Sequence, residues 1–143
     1  GGLEAARLKP WHVELLWDLK PKQMFFAYET ENDHEPLLCA GIMLIDAGFT
    51  IASHALRCYV LVGHPGDTFD AAEKRLRRTA EAGFLPMAML WRDKGGKRDP
   101  QWARFQRAWA RPTLIASGLR QEPAAVETGH VLQCCLAGGI ENG

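Results

Sequence analysis

The stretch LRCYVLVGHPGDT, residues 56–68, is the part of the sequence that decides the fold. Its first seven residues are mostly apolar and predict a strand over Leu56–Val62. The turn Gly63–Thr68 follows at once, with two glycines around a proline. The next segment places Phe69, Ala72, Leu76 and Ala80 at helical spacing, so the stretch indicates a strand that turns sharply into an amphipathic helix.

The same unit recurs along the chain. Asp46-Ala47-Gly48-Phe49 and Glu81-Ala82-Gly83-Phe84 lie 35 positions apart and both predict a helix end, with glycine in the left-handed conformation and phenylalanine packed back on the helix. Further strands are predicted at Gln23–Tyr28 and Met87–Trp91. Strands that alternate with helices favour an α/β fold with parallel strands and right-handed crossovers.

The remaining helices are predicted from apolar spacing and proline positions. A first helix covers residues 8–19, with Trp11, Leu15, Leu16 and Leu19 at helical spacing. A second starts at Glu35-Pro36, with Leu38, Ile42 and Ile45 as its inner stripe. A last helix, from Gln101 to about Trp109, has a core stripe of Trp102, Phe105 and Trp109. Residues 1–116 are therefore expected to form the α/β unit, and residues 117–143 an irregular C-terminal tail.

Composition excludes several classes of function. The 143 residues include 17 lysines and arginines and 17 acids, so the net charge is zero, which argues against nucleic acid or an anionic membrane as partner. No apolar run approaches the roughly 20 residues that span a bilayer. The four cysteines, Cys39, Cys58, Cys134 and Cys135, form no C-x-x-C pair, so reduced thiols in a cytoplasmic protein and no metal site are expected.

Ligands of parallel α/β folds bind where strands end and loops lead into helices. Three such ends are predicted, at Glu29-Thr30, at Gly63–Thr68 and at Trp91-Arg92. The middle one is the most informative, because glycine allows the backbone to approach a ligand and Asp67 or Thr68 can cap the next helix. From the residues alone, a tight strand-to-helix connection without a ligand explains this turn equally well.

The run Val62–Thr68, at the end of a strand and before an amphipathic helix, resembles the fifth-strand motif of radical S-adenosylmethionine (radical SAM) enzymes. In that family a Gly-x-Pro-Gly-Glu/Asp-Thr turn packs against S-adenosylmethionine. The strand Met87–Trp91 then looks like the sixth strand and Gln23–Thr30 like the fourth. The resemblance implies half of a (βα)6 partial TIM barrel, from its third helix through its sixth strand and helix.

The resemblance also implies roles for individual residues. Gly63, Pro65, Gly66 and Asp67 would shape the turn at the cofactor. Glu29 would accept a hydrogen bond from a ribose hydroxyl, and Trp91 and Arg92 would lie near the adenine. It assigns no catalytic residue.

One element of the family pattern is missing. Radical SAM enzymes bind a [4Fe–4S] cluster through C-x-x-x-C-x-x-C, and no cysteine of this chain has that spacing. The chain alone is therefore expected to be inactive, with a missing N-terminal half or a second copy as partner, since half a barrel leaves apolar edges open. The alternatives are a small nucleotide-binding (Rossmannoid) domain, for which G-x-G-x-x-G is absent, and a self-associating interaction module.

Overall fold

A computed structural model describes residues 2–110, and the statements below concern these residues. Four α-helices and three strands form this part of the chain, together with three short 3-10 helices. The α-helices and strands are α1 (Pro10–Leu19), β1 (Met24–Tyr28), α2 (His34–Ala47), β2 (Leu56–Val62), α3 (Phe69–Glu81), β3 (Leu85–Leu90) and α4 (Pro100–Ala108). The predicted tail, residues 117–143, lies outside the described residues.

The three strands form one parallel sheet in the order β1-β2-β3, which places β2 at its centre. The α/β class and the parallel pairing are thus confirmed, while the half barrel extends beyond this sheet and stays a prediction. Before α1, Leu3 makes a further parallel bridge with Phe26, and its amide donates to the carbonyl of Phe25 at 2.6 Å. The segment before α1 therefore runs along the outer edge of β1.

The two faces of the sheet differ in what covers them. Along β2, Leu56, Cys58, Val60 and Val62 are buried against the helices, whereas the residues between them are only half-buried. Since strand partners share a face, the less buried face is shared by all three strands. We call it the open face. Its members are Phe25, Ala27, Arg57, Tyr59, Leu61, Leu85, Met87 and Met89.

The repeated helix ends have the geometry predicted from their sequences. Gly48 and Gly83 have φ values of +117° and +98°. The amide of Phe49 donates to the Leu44 carbonyl at 3.1 Å, and that of Phe84 to the Thr79 carbonyl at 3.2 Å. Both phenylalanine side chains are buried. The glycine-phenylalanine signal therefore marks true helix ends that lead the chain into the core.

The inner stripe predicted for α2 was wrong, and on α1 the apolar residues at helical spacing do not mark the buried face. On α1, Trp11, Leu15 and Leu19 are exposed and Val13 is the buried residue. On α2, the buried face is Leu37, Ala40, Gly41 and Leu44, while Leu38 and Ile42 are half-buried and Ile45 is exposed. Apolar residues surround α2 on several sides, so the spacing of large side chains did not identify the face that packs.

Gly41 decides which face of α2 lies inward. A Cβ atom at this position would overlap the Ala82 carbonyl oxygen and would lie 3.2 Å from the Phe84 ring. The backbones of α2 and of the end of α3 therefore meet without an intervening side chain. On α3, Ala72 and Leu76 are fully buried as predicted, whereas Phe69, which was expected on the same inner face, is 42% exposed. On α4, Trp102, Phe105 and Trp109 are half-buried against the core.

Replacing Gly41 by alanine should lower the free energy of unfolding. The added methyl group overpacks the crossing of α2 with the end of α3, at a cost of about 1–3 kcal/mol, which exceeds the gain of up to about 1 kcal/mol in helix propensity. Urea denaturation measures the change. Gly95→Ala is the control, because its Cβ would meet only Asp93 Oδ1, at 3.4 Å. A Gly41→Ala protein as stable as the wild type would contradict this packing.

Candidate functional site

The turn after β2 is shaped by two glycines with positive φ. Gly63 has a φ of +77° and Gly66 one of +82°, values that other residues adopt only with strain. The Asp67 amide closes the turn by donating to the His64 carbonyl at 2.9 Å. Thr68 then caps α3, since its Oγ1 accepts a hydrogen bond from the Ala71 amide at 3.1 Å. The turn thus lies at the C-terminal end of the central strand, as predicted.

Asp67 holds this turn together from within. Its Oδ2 accepts a hydrogen bond from the Gly63 amide at 2.8 Å, and its Oδ1 accepts one from the Thr68 amide at 3.0 Å. The Arg75 guanidinium donates to both carboxylate oxygens, at 3.1 and 2.7 Å. Only 1% of the Asp67 side chain and 6% of the Arg75 side chain are exposed. Asp67 therefore shapes the turn and does not face a ligand.

Arg75 joins the turn to the strand as well. Its Nη2 also donates to the Leu61 carbonyl at 3.0 Å. Burial alone would raise the pKa of Asp67, but the hydrogen bonds from Arg75 and from the Gly63 amide outweigh it and hold this pKa below its ordinary value. Sequence reasoning missed Arg75. The available signal was a charged residue on the inner face of α3, one position before the core residue Leu76.

A cleft of about 440 Å³ opens beside the turn. Gly63 and Pro65 line one side, and Leu90 and Trp91 come from the end of β3. The other wall consists of residues of the following loop and the start of α4, namely Asp93, Lys97, Arg98, Asp99, Pro100 and Trp102. Hydrogen bonding between strands brings the two sides together, because the Trp91 amide donates to the Val62 carbonyl at 2.9 Å.

Trp102 packs directly on the turn. A Cβ atom at Gly63 would lie 2.9 Å from the Trp102 ring. The ring also meets Phe69, the first residue of α3, with 4.4 Å between ring centroids. Trp102 was predicted as a core residue, and the structure shows that it also lines the cleft. Helical spacing predicts that Trp102 packs on the core, but it cannot show that another part of the same ring lines a cleft.

The structure brings some predicted site residues together and leaves others apart. Gly63, Pro65 and Trp91 line the same cleft. A Cβ atom at Gly66 would meet no atom within 4 Å, so this glycine faces open space. Arg92 is exposed and does not line the cleft.

Glu29 lies at the end of β1, outside the cleft. Its side chain is exposed, while its amide and that of Thr30 each donate to Asp33 Oδ2 at 2.8 Å. Of the three strand ends expected to converge, β2 and β3 share the cleft and β1 does not. The β1 end is closed instead by the short helical turn Glu31–Asp33.

The helix-covered side of the β1 end contains ionisable groups that are poorly hydrated. Burial raises the pKa of the fully buried Tyr28, although Arg78 opposes this. Burial, reinforced by Arg78, lowers the pKa of His34. Arg78 itself pairs with Glu31 at 2.9 Å. None of these groups lines the cleft.

The described cysteines are not arranged as ligands. Cys58 is fully buried, and burial raises the pKa of its thiol to about 12, so it stays protonated. Cys39 is half-buried, and Cys134 and Cys135 lie outside the described residues. Within residues 2–110, no group of three histidine, cysteine or acidic side chains could hold a metal ion. No helix in this part of the chain is long and apolar enough to cross a membrane.

Comparison of the chain with protein-family models, with curated proteins and with solved structures found no match. The cleft and the turn are therefore the features of this chain that point to a function.

Replacing Asp67 by asparagine should cost about 3 kcal/mol of unfolding free energy at pH 7, because the Arg75 charge is left buried without its partner. Folding lowers the pKa of Asp67. The ion pair therefore makes its full contribution to the free energy of unfolding above the ordinary aspartate pKa, and this contribution is lost as the pH falls through the lowered pKa. The difference between wild type and Asp67→Asn should therefore shrink below about pH 4.

Urea denaturation at neutral and acidic pH measures this difference. Glu73→Gln is the control, because Glu73 pairs with Arg77 on the surface of the same helix at 2.8 Å. An exposed pair of this kind contributes about 0.5 kcal/mol. A loss for Asp67→Asn no larger than that of the control would show that the turn does not depend on the ion pair.

Proposed function

We propose that this chain supplies the S-adenosylmethionine-binding strands of a radical SAM-type barrel, with the cleft beside the Gly63–Thr68 turn as the binding site. One observation carries the proposal. The glycine-proline turn lies at the C-terminal end of the central parallel strand and shares a cleft with the end of the next strand. Open parallel sheets bind ligands at this edge, where loops rather than side chains of the core meet the ligand.

The cleft has the character that a nucleoside requires. Its volume of about 440 Å³ is in the usual range for small-molecule sites. Trp91 and Trp102 provide aromatic surface on which a planar base can pack, and Gly63 and Pro65 line the cleft beside it. Gly66, with open space where a side chain would be, allows a ligand to approach the outer side of the turn.

Each residue implied by the resemblance has a part in this proposal. Gly63, Pro65 and Trp91 line the cleft, Gly66 leaves the outer side of the turn open, and Asp67 holds the turn in shape. Arg92 and Glu29 lie beyond the cleft, so they contact only those parts of a ligand that extend past its rim. The proposal thus rests on the β2 and β3 ends.

The cysteines of this chain do not have the sequence pattern that binds the iron–sulfur cluster in the family. Their spacing differs from C-x-x-x-C-x-x-C throughout the sequence, and the buried Cys58 is held protonated. We therefore ascribe cofactor binding to this chain and no step of the radical reaction. When bound by a complementary N-terminal half, the cluster would supply the electron that cleaves S-adenosylmethionine. A cytoplasmic setting belongs to this proposal, because such clusters and free thiols need reducing surroundings.

A second candidate function is self-association through the open face. Phe25 and Tyr59 stack there with centroids 5.0 Å apart, and 41% of Met89 is exposed. Arg57 is the single charged member, and it lies over the Phe25 ring at 5.9 Å. A second copy of the chain presents the same apolar surface, and with a net charge of zero the two copies do not repel each other strongly.

Titration with S-adenosylmethionine should shift the indole N–H signals of Trp91 and Trp102 in the NMR spectrum. The signals of Trp11 and Trp17, which belong to α1, should not move and serve as internal controls. Gly66→Val should weaken binding at least about tenfold, because a β-branched side chain blocks the outer side of the turn and strains a positive φ.

Urea denaturation of the Gly66→Val protein tests whether it remains folded during this titration. Flavin mononucleotide and NAD are the competing ligands. Shifts caused by either of them, but not by S-adenosylmethionine, would favour a Rossmannoid nucleotide-binding domain. The absence of any shift with S-adenosylmethionine would contradict the proposal.

Self-association predicts a dimer in sedimentation experiments at micromolar concentration. Met89→Glu should convert it to a monomer, because it buries a charge in the contact between two open faces. Leu15→Glu is the matched control on another exposed apolar surface, the outer side of α1. A monomeric wild type would contradict the second candidate, and so would dissociation caused only by Leu15→Glu.

A further inference from the structure

The segment between β3 and α4 is more basic than the chain as a whole. The whole sequence has no net charge, whereas residues 92–99, RDKGGKRD, contain four basic and two acidic residues. Two of the basic residues, Lys97 and Arg98, line the cleft, while Arg92 and Lys94 do not. The cleft is therefore lined by two basic residues of this segment together with its two acidic residues, Asp93 and Asp99.

The two acidic side chains of this segment accept hydrogen bonds from backbone amides. Asp93 Oδ1 accepts a hydrogen bond from the Lys97 amide at 2.9 Å, which closes the loop. Asp99 Oδ1 accepts one from the Gln101 amide at 2.8 Å and so caps α4. Both carboxylates thus stabilise the loop and the helix start.

The side chains of Lys97 and Arg98 differ from these two carboxylates, because they take part in no ion pair within the described residues. Both residues are exposed, and they line the cleft together with the more buried apolar residues Leu90, Trp91 and Trp102. A ligand in the cleft would therefore meet both aromatic surface and two cations that have no ion-pair partner among the described residues.

We propose that the cleft binds a nucleoside that bears an anionic group, a carboxylate or a phosphate, and that Lys97 and Arg98 hold this group at the rim. The inference rests on the proposed function in one respect, namely that an adenosyl ligand occupies the cleft. It adds that the anion is recognised by side chains of the β3–α4 loop. Charge-assisted hydrogen bonds from lysine and arginine are the usual means of binding both kinds of anion.

Matched ligand pairs test the inference by calorimetry. S-Adenosylhomocysteine is compared with 5′-methylthioadenosine, which lacks the amino-acid carboxylate, and adenosine 5′-monophosphate with adenosine. The wild type should bind the anionic member of one or both pairs about tenfold more tightly. The pair that shows the preference distinguishes a carboxylate from a phosphate. Lys97→Gln/Arg98→Gln should abolish the preference and leave the neutral ligands unaffected.

Lys94→Gln/Arg104→Gln is the matched control. It removes the same charge from two exposed positions, one in the same loop and one on α4, that do not line the cleft. This variant should retain the preference. An equal loss of the preference in both variants would mean that the ligand responds only to the overall charge of the protein. This result would overturn the inference. A wild type without any preference for the anionic ligands would overturn it too.

Pyrophosphate as a probe separates this inference from the proposed function. If it shifts the NMR amide signals of Lys97 and Arg98 in the wild type while no adenosyl ligand binds, the anion site is supported and the proposed function is contradicted. If S-adenosylmethionine shifts the Trp91 signal equally in the wild type and in Lys97→Gln/Arg98→Gln, the proposed function is supported and this inference fails. Tighter binding of a single-stranded RNA of about ten nucleotides than of any mononucleotide would also overturn it.

Discussion

The Asp67 carboxylate and the Arg75 guanidinium face each other in a place that water hardly reaches, and the turn after the central strand is built around them. The carboxylate binds the amides on both sides of the turn, and the guanidinium reaches on to the carbonyl of Leu61 within the strand. Strand, turn and helix α3 are thus connected at one point. The conformations of Gly63 and Gly66, the start of α3 and the position of the cleft all follow from this contact.

A buried ion pair is costly, because both charges lose their hydration. Here the cost is reduced by hydrogen bonds to the carboxylate from two backbone amides and from both terminal nitrogens of the arginine, although Arg75 Nε has no hydrogen-bond partner among the described residues. An apolar pair of similar volume could fill the same space, but it could not bind the amides of Gly63 and Thr68. The main effect of the pair is therefore to fix the conformation of the turn, and its effect on stability is secondary. A ligand site at a strand end requires such a fixed turn.

The sequence allowed the strands and the ends of the middle helices to be predicted, because these depend on local signals. Apolar runs mark the strands, and glycine followed by phenylalanine at positions 48–49 and 83–84 marks the helix ends. The packing face of α2 could not be predicted, since it depends on a backbone contact at Gly41 with a residue far along the chain. Arg75 was missed for a similar reason, as no local rule pairs it with Asp67 eight positions earlier. Glu29 was expected beside the turn, yet the hydrogen bonds of Asp33 to its backbone close the end of β1 separately.

The hydrogen bond from the Gly63 amide to Asp67 has a consequence for the motions of this region. Amides in surface turns usually exchange their hydrogen with solvent quickly, because such turns open independently of the core. Here the acceptor is a carboxylate fixed by Arg75 in the middle of α3. The Gly63 amide can exchange only when its hydrogen bond to the Asp67 carboxylate opens, and Arg75 holds this carboxylate in place. The protection of the Gly63 amide should therefore follow that of the amides of α3. By hydrogen exchange the turn would then belong to the same cooperative unit as the helix, and its opening would be as rare as the loosening of α3 from the sheet.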